Sequence, residues 1–170
     1  MRDLQYYARE CLAEVDRLRI PRAKNITFTV NTRAKTRLGQ CRKTGDRYVI
    51  EVAATLLDER APLKEGLKDT LIHEILHTCY GCMNHTGRWK QYADKVNAAY
   101  GYQVKATAKR EDGVIPAELD TPPKYKLICP HCGAEYARYR LSATFEHPER
   151  YLCGKCKGSL KGAKRLVRKD

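Results

Sequence analysis

Residues 70–89 read TLIHEILHTCYGCMNHTGRW and hold three of the chain's five histidines and two of its eight cysteines. Within them, His73-Glu74-Ile75-Leu76-His77 has the form H-E-x-x-H. On a helix the four-residue step brings both imidazoles to one face, where they can share a Zn²⁺ ion. Glu74, one residue after the first ligand, is placed to reach a water on the metal rather than the metal itself. That is the arrangement of a general base in metal-assisted hydrolysis.

A hydrolytic zinc takes three protein ligands and keeps a fourth position open. One common spacing would require glycine at position 80 and histidine at 83, but those positions hold Tyr80 and Met83. A second would require a glutamate on the following helix, whose only acid is Asp94. His85 remains as the third ligand, eight residues after His77, if a turn at GCMN carries it back. Cys79 and Cys82 form a C-x-x-C pair, yet Cys79 should point about 200° away from His77 around a helix. Both are expected to be packing thiols, as is Cys41. Tyr80, Arg88 and Lys90 lie close in sequence, and nothing selects an oxyanion stabiliser among them.

A second metal site is spelled out further along. Cys129-x-x-Cys132 and Cys153-x-x-Cys156 are two knuckles separated by 20 residues. Together they complete a closed Cys₄ site, which has no open position and is therefore structural. A segment this small lacks an adequate core, so metal should supply folding energy. His131 and His147 are expected to be non-ligands, and Gly133 and Gly154 to serve the knuckle turns. Two zinc ions per chain follow, one catalytic and one structural.

The elements that must position these groups can be traced by periodicity. Residues 2–18 form an amphipathic helix with Leu4, Tyr7, Ala8, Cys11, Leu12, Val15 and Leu18 on its apolar side, ending at Pro21. NITFTV (25–30) alternates as a strand, and two further strands flank the turn KTGD. A long helical pattern starts near Pro62 and should run to Gly81, with an apolar stripe through Leu63, Leu67, Leu71, Ile72, Ile75 and Leu76. Another helix spans about 87–100, marked by Trp89, Tyr92, Ala93, Val96 and Tyr100. Residues 103–123 read as a polar connector. Pro122 and Pro123 mark the boundary between a domain at 1–121 and a small unit at 122–161, followed by a basic tail at 162–170. The class is α+β.

Charge is distributed unevenly. The net charge is +13, and residues 121–170 carry 12 Lys+Arg against 4 Asp+Glu. This points to a polyanionic partner, and DNA, single- or double-stranded, is the expected one. Lys124, Lys126, Arg138, Arg140, Lys155, Lys157, Lys161, Lys164, Arg165, Arg168 and Lys169 are the candidate contacts. Tyr125, Tyr136, Tyr139 and Tyr151 are interleaved with them; at least half should be needed for the small core, the rest being free to stack on bases. No run approaches a membrane span and the N-terminus has no signal-peptide core. A cytoplasmic protein is expected, nucleoid-associated if bacterial, in a compartment where clustered cysteines bind metal.

LIHEILH followed by NHTGRWKQYADKVNAAYG, with TRLGQCR and YVIEVAATLL upstream, resembles the SprT-like family of zinc metalloproteases, which includes the Spartan proteases that act on DNA–protein crosslinks. The resemblance covers roughly residues 2–160. It implies a zincin-type protease domain: an N-terminal helix, a small antiparallel sheet, the H-E-x-x-H helix and a following helix. It also implies a C-terminal zinc ribbon, His85 as third zinc ligand, and protein substrates bound or crosslinked to DNA. Many relatives read His-Gly directly, whereas Thr86 here separates His85 from Gly87. Two other readings stand beside the peptidase: a non-enzymatic DNA-binding or regulatory zinc protein, and a zinc hydrolase acting on a nonprotein amide or ester.

Overall fold

A computed structural model describes residues 1–34, 37–107, 114–116, 119 and 122–168. It divides into two compact units, Met1–Asp120 and Thr121–Asp170. The fold is α+β, with a small sheet in each unit.

In the first unit, α1 spans Leu4–Arg17. Asp3 caps it by accepting from the Gln5 and Tyr6 amides, which satisfies two of the orphan donors of the first turn. Its buried face is Leu4, Ala8, Cys11 and Val15. The helix stops before Pro21, because Arg19 adopts a left-handed conformation (φ 52°).

Strands β1 (Ile26–Asn31), β2 (Gly39–Thr44) and β3 (Arg47–Ala53) form a sheet of order β1-β3-β2. β2 and β3 are the expected hairpin around Gly45, whose φ is 63°. The sheet is not purely antiparallel, however: β1 pairs with β3 in parallel, Ile26 opposite Tyr48 through Asn31 opposite Ala53. The reason is apolar content. Tyr48, Ile50 and Val52 make β3 the strand with most to bury, so it takes the centre, while β2, mostly solvent-facing, takes the edge.

The long helical pattern resolves into two parts. Leu63–Lys68 winds as a π-helix and passes directly into α2, Asp69–Leu76. Leu67, Leu71, Ile72, Ile75 and Leu76 are fully buried, so the apolar stripe holds across the change of winding. The helix ends at Leu76 with His77 as its cap, not at Gly81. Beyond it, the Cys82 amide bonds the Cys79 carbonyl across a turn in which Gly81 has φ 76°. Helix α3, Arg88–Tyr100, buries Trp89, Ala93 and Val96 and is stopped by left-handed Gly101. The stretch after it is not all connector. Tyr102 and Val104 are buried in the core.

In the second unit, β4 (Tyr125–Ile128) lies between β5 (Glu135–Arg138) and β6 (Lys164–Val167), antiparallel to both. A single-turn helix α4, Ala143–Glu146, supplies Phe145 to a core with Leu127, Cys129, Cys153 and Leu160. Residues 164–167, read from the sequence as part of a tail, are thus an edge strand of this sheet. Their four-residue ladder with β4 fixes them, although each residue remains exposed.

Candidate metal centres and the flanking cleft

His73 and His77 come from the last turn and the cap of α2; His85 comes from the loop that precedes α3. Their Nε2 atoms form a near-equilateral triangle: 3.2 Å between His73 and His77, 3.0 Å between His77 and His85, and 2.9 Å between His73 and His85. Two of the rings have their tautomer set. His73 Nδ1 donates to the Lys105 carbonyl at 2.9 Å, and His77 Nδ1 donates to the Cys82 carbonyl at 2.7 Å. A carbonyl can only accept, so each Nδ1 carries the proton and each Nε2 turns its lone pair into the triangle. Burial, followed by the mutual repulsion of the rings, pushes His73 down to about 4. Burial also lowers His77 and His85. Each shift favours the neutral imidazole that metal ligation requires. Tetrahedral zinc, with Zn–N near 2.05 Å, would separate its nitrogens by about 3.3 Å, close to the triangle observed.

The indole of Trp89 backs all three rings, with centroids 4.9 Å from His73, 5.8 Å from His77 and 4.7 Å from His85. It is 1% exposed, so the ligands rest on a dry, rigid wall.

The carbonyl of Lys105 depends on a bracing that periodicity gave no hint of. Asn97 on α3 accepts from the Val104 amide and donates to the Val104 carbonyl, at 2.9 and 3.1 Å. Both Asp69 oxygens accept from the Gln103 amide at 3.2 Å. Tyr102 donates to Glu14, which also pairs with Lys68. Residues 102–105 are therefore tied to α1, α2 and α3 at once. An Asn side chain four residues before Gly101 was the one signal available for this role.

Glu74 lies on the same helix as the first two ligands and is 6% exposed. Burial pushes its carboxyl up to about 7, opposed by the Cys41 amide and by the charge of Arg37. Strand β2 approaches it closely because residue 39 is glycine. A Cβ there would stand 2.7 Å from Thr70 Cγ2 and 2.8 Å from Glu74 Oε1. His73 and Glu74 together line a cavity of about 530 Å³ bounded by Arg37–Gly39, Glu65, Asp69, Thr70, 103–107 and Val114. Tyr80, Arg88 and Lys90 do not line it. Arg88 instead donates to the Tyr80 carbonyl and lies over the Tyr80 ring, and all three side chains are exposed.

The second cluster joins Cys129, Cys132, Cys153 and Cys156, with all four sulfurs within 4.8 Å of one another. Cys129 and Cys156 are 3.8 Å apart, and Cys132 and Cys153 are 3.6 Å apart. A Zn²⁺ ion with Zn–S of 2.3 Å would set its sulfurs about 3.8 Å apart, so the donor set fits. The two knuckles are built alike: the amides of Gly133 and Lys157 each bond the carbonyl four residues back, Cys129 and Cys153. Both residues have positive φ, 69° and 61°. The left-handed position of the second knuckle is thus held by Lys157, not by Gly154. The Cys156 amide and the Tyr136 hydroxyl hold the Cys153 thiol low, favouring the thiolate. His131 packs over Gly158, where a Cβ would meet its ring at 2.8 Å, and neither it nor His147 joins the cluster.

A model of the SprT-like family matches residues 6–110, more than half of the chain. The chain belongs to the SprT-like family. Among curated relatives, Protein SprT-like of Bacillus subtilis (strain 168) is 28% identical over 119 residues, covering 69% of this chain and 75% of its own length. Protein SprT-like of Bacillus cereus (strain G9842) is 31% identical over 129 residues, covering 71% and 75%. The family match contains the histidine triad, Glu74 and the walls of the cleft except Val114; the four-cysteine unit lies beyond it.

Of the basic residues singled out on this SprT-like chain, Lys126 is paired with Glu135 at 2.7 Å. Lys124 is half-buried, while Arg138, Arg140, Lys155, Lys157, Lys161, Lys164, Arg165 and Arg168 are exposed. Lys169 lies outside the described residues. Tyr125 and Tyr136 pack on the small core, and Tyr151 is exposed. No helix among the described residues is long and apolar enough to cross a membrane.

Proposed function

We propose that this SprT-like chain is a zinc-dependent endopeptidase with a zincin-type catalytic unit, acting on proteins bound or crosslinked to DNA. The observation that carries the reading is the position of Glu74. A buried carboxylate stands next to His73 on the wall of an open cleft, beside three imidazoles whose Nε2 atoms converge. A metal site needed only for folding has no use for such a carboxylate.

Zinc on His73, His77 and His85 would supply Lewis acidity toward a water and a scissile carbonyl. The chain's own groups do the rest. Glu74 accepts the proton that water gives up as its oxygen adds to the carbonyl carbon, then hands that proton to the amine nitrogen as the C–N bond breaks. The Cys41 amide keeps the carboxylate aimed, and Gly39 leaves it room. Lys105 and Cys82 hold the imidazoles in register through their carbonyls. A second zinc on Cys129, Cys132, Cys153 and Cys156 would be structural, its unit offering exposed cations to phosphates without reading sequence.

The test is proteolysis of a basic DNA-binding protein with and without single- and double-stranded DNA, for the wild type and for Glu74→Gln. The variant is expected to keep its zinc and lose cleavage by about 10²–10⁴-fold, the range for a general base. Cleavage equal to wild type would remove Glu74 from the mechanism and favour the non-enzymatic reading. Full-length Lys164→Ala/Arg165→Ala/Arg168→Ala should bind DNA more weakly with a shallower salt dependence.

A further inference from the structure

The cleft beside His73 and Glu74 extends along one face of the helix that carries them. Glu65, Asp69 and His73 follow one another at four-residue steps and all line it. A step of that length is about 6 Å along a helix, so the two carboxylates stand roughly one and two turns from the first metal ligand. Glu65 sits in the π-helical segment Leu63–Lys68, a winding often found at functional sites. The opposite walls are apolar: Leu38, Val104 and Val114 are each more than nine-tenths buried.

Asp69 is the unusual member. It is 9% exposed, yet among the described residues no cation lies within ion-pair distance of it, and its hydrogen bonds are two 3.2 Å contacts from one amide. Burial of the carboxylate is costly, and the distant charges of Lys64 and Lys105 offset that cost only in part, which leaves Asp69 able to gain from a cation brought into the cleft. Glu65, exposed at the outer end, also lacks an ion-pair partner among the described residues. Arg37 and Lys105, likewise on the lining, are exposed and not within ion-pair distance of Asp69, although Lys64 and Lys105 act on it at longer range.

We infer that the cavity is a substrate side-chain pocket for lysine or arginine, in which Leu38, Val104 and Val114 pack the aliphatic stem and Asp69, assisted by Glu65, receives the charged head. This rests on the peptidase reading and deepens it, because it names the residue type next to which the chain cuts. A stem of three or four methylenes carries a charge about 6 Å from the substrate backbone, which matches one helical turn from His73 to Asp69. Proteins that coat DNA are rich in such side chains, so the pocket and the proposed substrate class agree.

The experiment uses the zinc-loaded full chain and quenched-fluorescent peptides that differ only in carrying arginine, lysine, norleucine or glutamate at each position flanking the scissile bond. At one position arginine and lysine should exceed norleucine by 10-fold or more in kcat/KM, the difference lying in KM. Asp69→Asn should reduce that arginine-to-norleucine ratio by at least 10-fold, and Glu65→Lys should reduce it more modestly. Because each variant is read as a ratio, general loss of activity does not mimic the effect. Equal rates for arginine and norleucine in the wild type, or an unchanged ratio in Asp69→Asn, would overturn the pocket while leaving the peptidase intact. A second arm is independent of catalysis: n-butylguanidinium, followed by NMR on zinc-loaded Glu74→Gln, should perturb Leu38, Val104 and Val114. The double variant Glu74→Gln/Asp69→Asn should abolish that binding. Binding with no cleavage of any peptide would retain the pocket and remove the peptidase reading; no perturbation would remove the pocket.

Discussion

His73 and His85 are 12 residues apart in the chain, and their Nε2 atoms are 2.9 Å apart in space. His73 Nε2 presents a lone pair, because its Nδ1 donates to the Lys105 carbonyl, and with His77 and His85 it makes a three-nitrogen donor set of the size a zinc ion would fit. The loop from His77 to His85 closes that set, and the orientations of the His73 and His77 rings follow from two backbone carbonyls on separate segments.

Metal content should separate the two centres. The wild-type chain is expected to hold about two equivalents of zinc, and His85→Ala about one, because two imidazoles with no third ligand make a weak site. Cys132→Ser should likewise lose about one equivalent, but with loss of order in the second unit, whose core is small. Elemental analysis with circular dichroism on the same samples checks both. Two equivalents retained by His85→Ala would take His85 out of the ligand set.

Gly39→Ala tests the close approach of β2 to α2. The added methyl would overlap Thr70 Cγ2 and Glu74 Oε1, at 2.7 and 2.8 Å. Backbone and helix must part, at a cost of about 1–3 kcal/mol, and Glu74 must leave its present position. A fall in thermal midpoint together with a loss of hydrolytic rate at unchanged zinc content is expected. Full activity would show that Glu74 has slack.

Asp69 should leave a signature in the pH dependence of stability. Burial pushes its carboxyl up to about 6, above the ordinary carboxylate value that it regains on unfolding. The folded chain then holds the proton more tightly, so the stabilisation is complete in acid below that ordinary value and is lost as pH rises through about 6. The three histidines, lowered by burial, act in the opposite direction over part of the same range. The difference between wild type and Asp69→Asn isolates the aspartate: denaturant midpoints should shift in favour of the variant between pH 4.5 and 7. An equal difference at both pH values would contradict the shift.

Tyr136→Phe removes a hydroxyl 3.0 Å from Cys153 Sγ and nothing else. Partners of metal ligands typically contribute 10–100-fold in affinity, so the variant should release zinc to a chelator about that much more readily from the four-cysteine site. The release rate at the histidine site should be unaltered.

Much of this protein could be read from spacing. H-E-x-x-H on a helical period pairs His73 with His77, and two C-x-x-C pairs specify one four-sulfur cluster. The apolar stripes of α1, α2 and α3 have the residues assigned to them. Three features were not legible. The parallel pairing of β1 with β3 depends on which strand has most to bury, a comparison among strands rather than a property of one. The strand at 164–167 is exposed on both faces, so it has no apolar alternation to announce it. Residues 102–105 looked like a polar connector because their order comes from Asn97, Asp69 and Glu14 on other elements.

The sequence by itself determined what short-range backbone geometry controls. A four-residue helical step and a two-residue knuckle place ligands together whatever the rest of the chain does. It also determined the charge, which needs no fold. The sequence also named His85 as the third ligand, but only the tertiary structure brings its Nε2 to within 3.0 Å of the other two, lets the Lys105 and Cys82 carbonyls set the tautomers of His73 and His77, and shows that Gly39 admits Glu74. It alone put Asp69 in the same cleft. Each of these requires segments distant in sequence to meet within hydrogen-bond or van der Waals range, and that meeting is set by how the core packs.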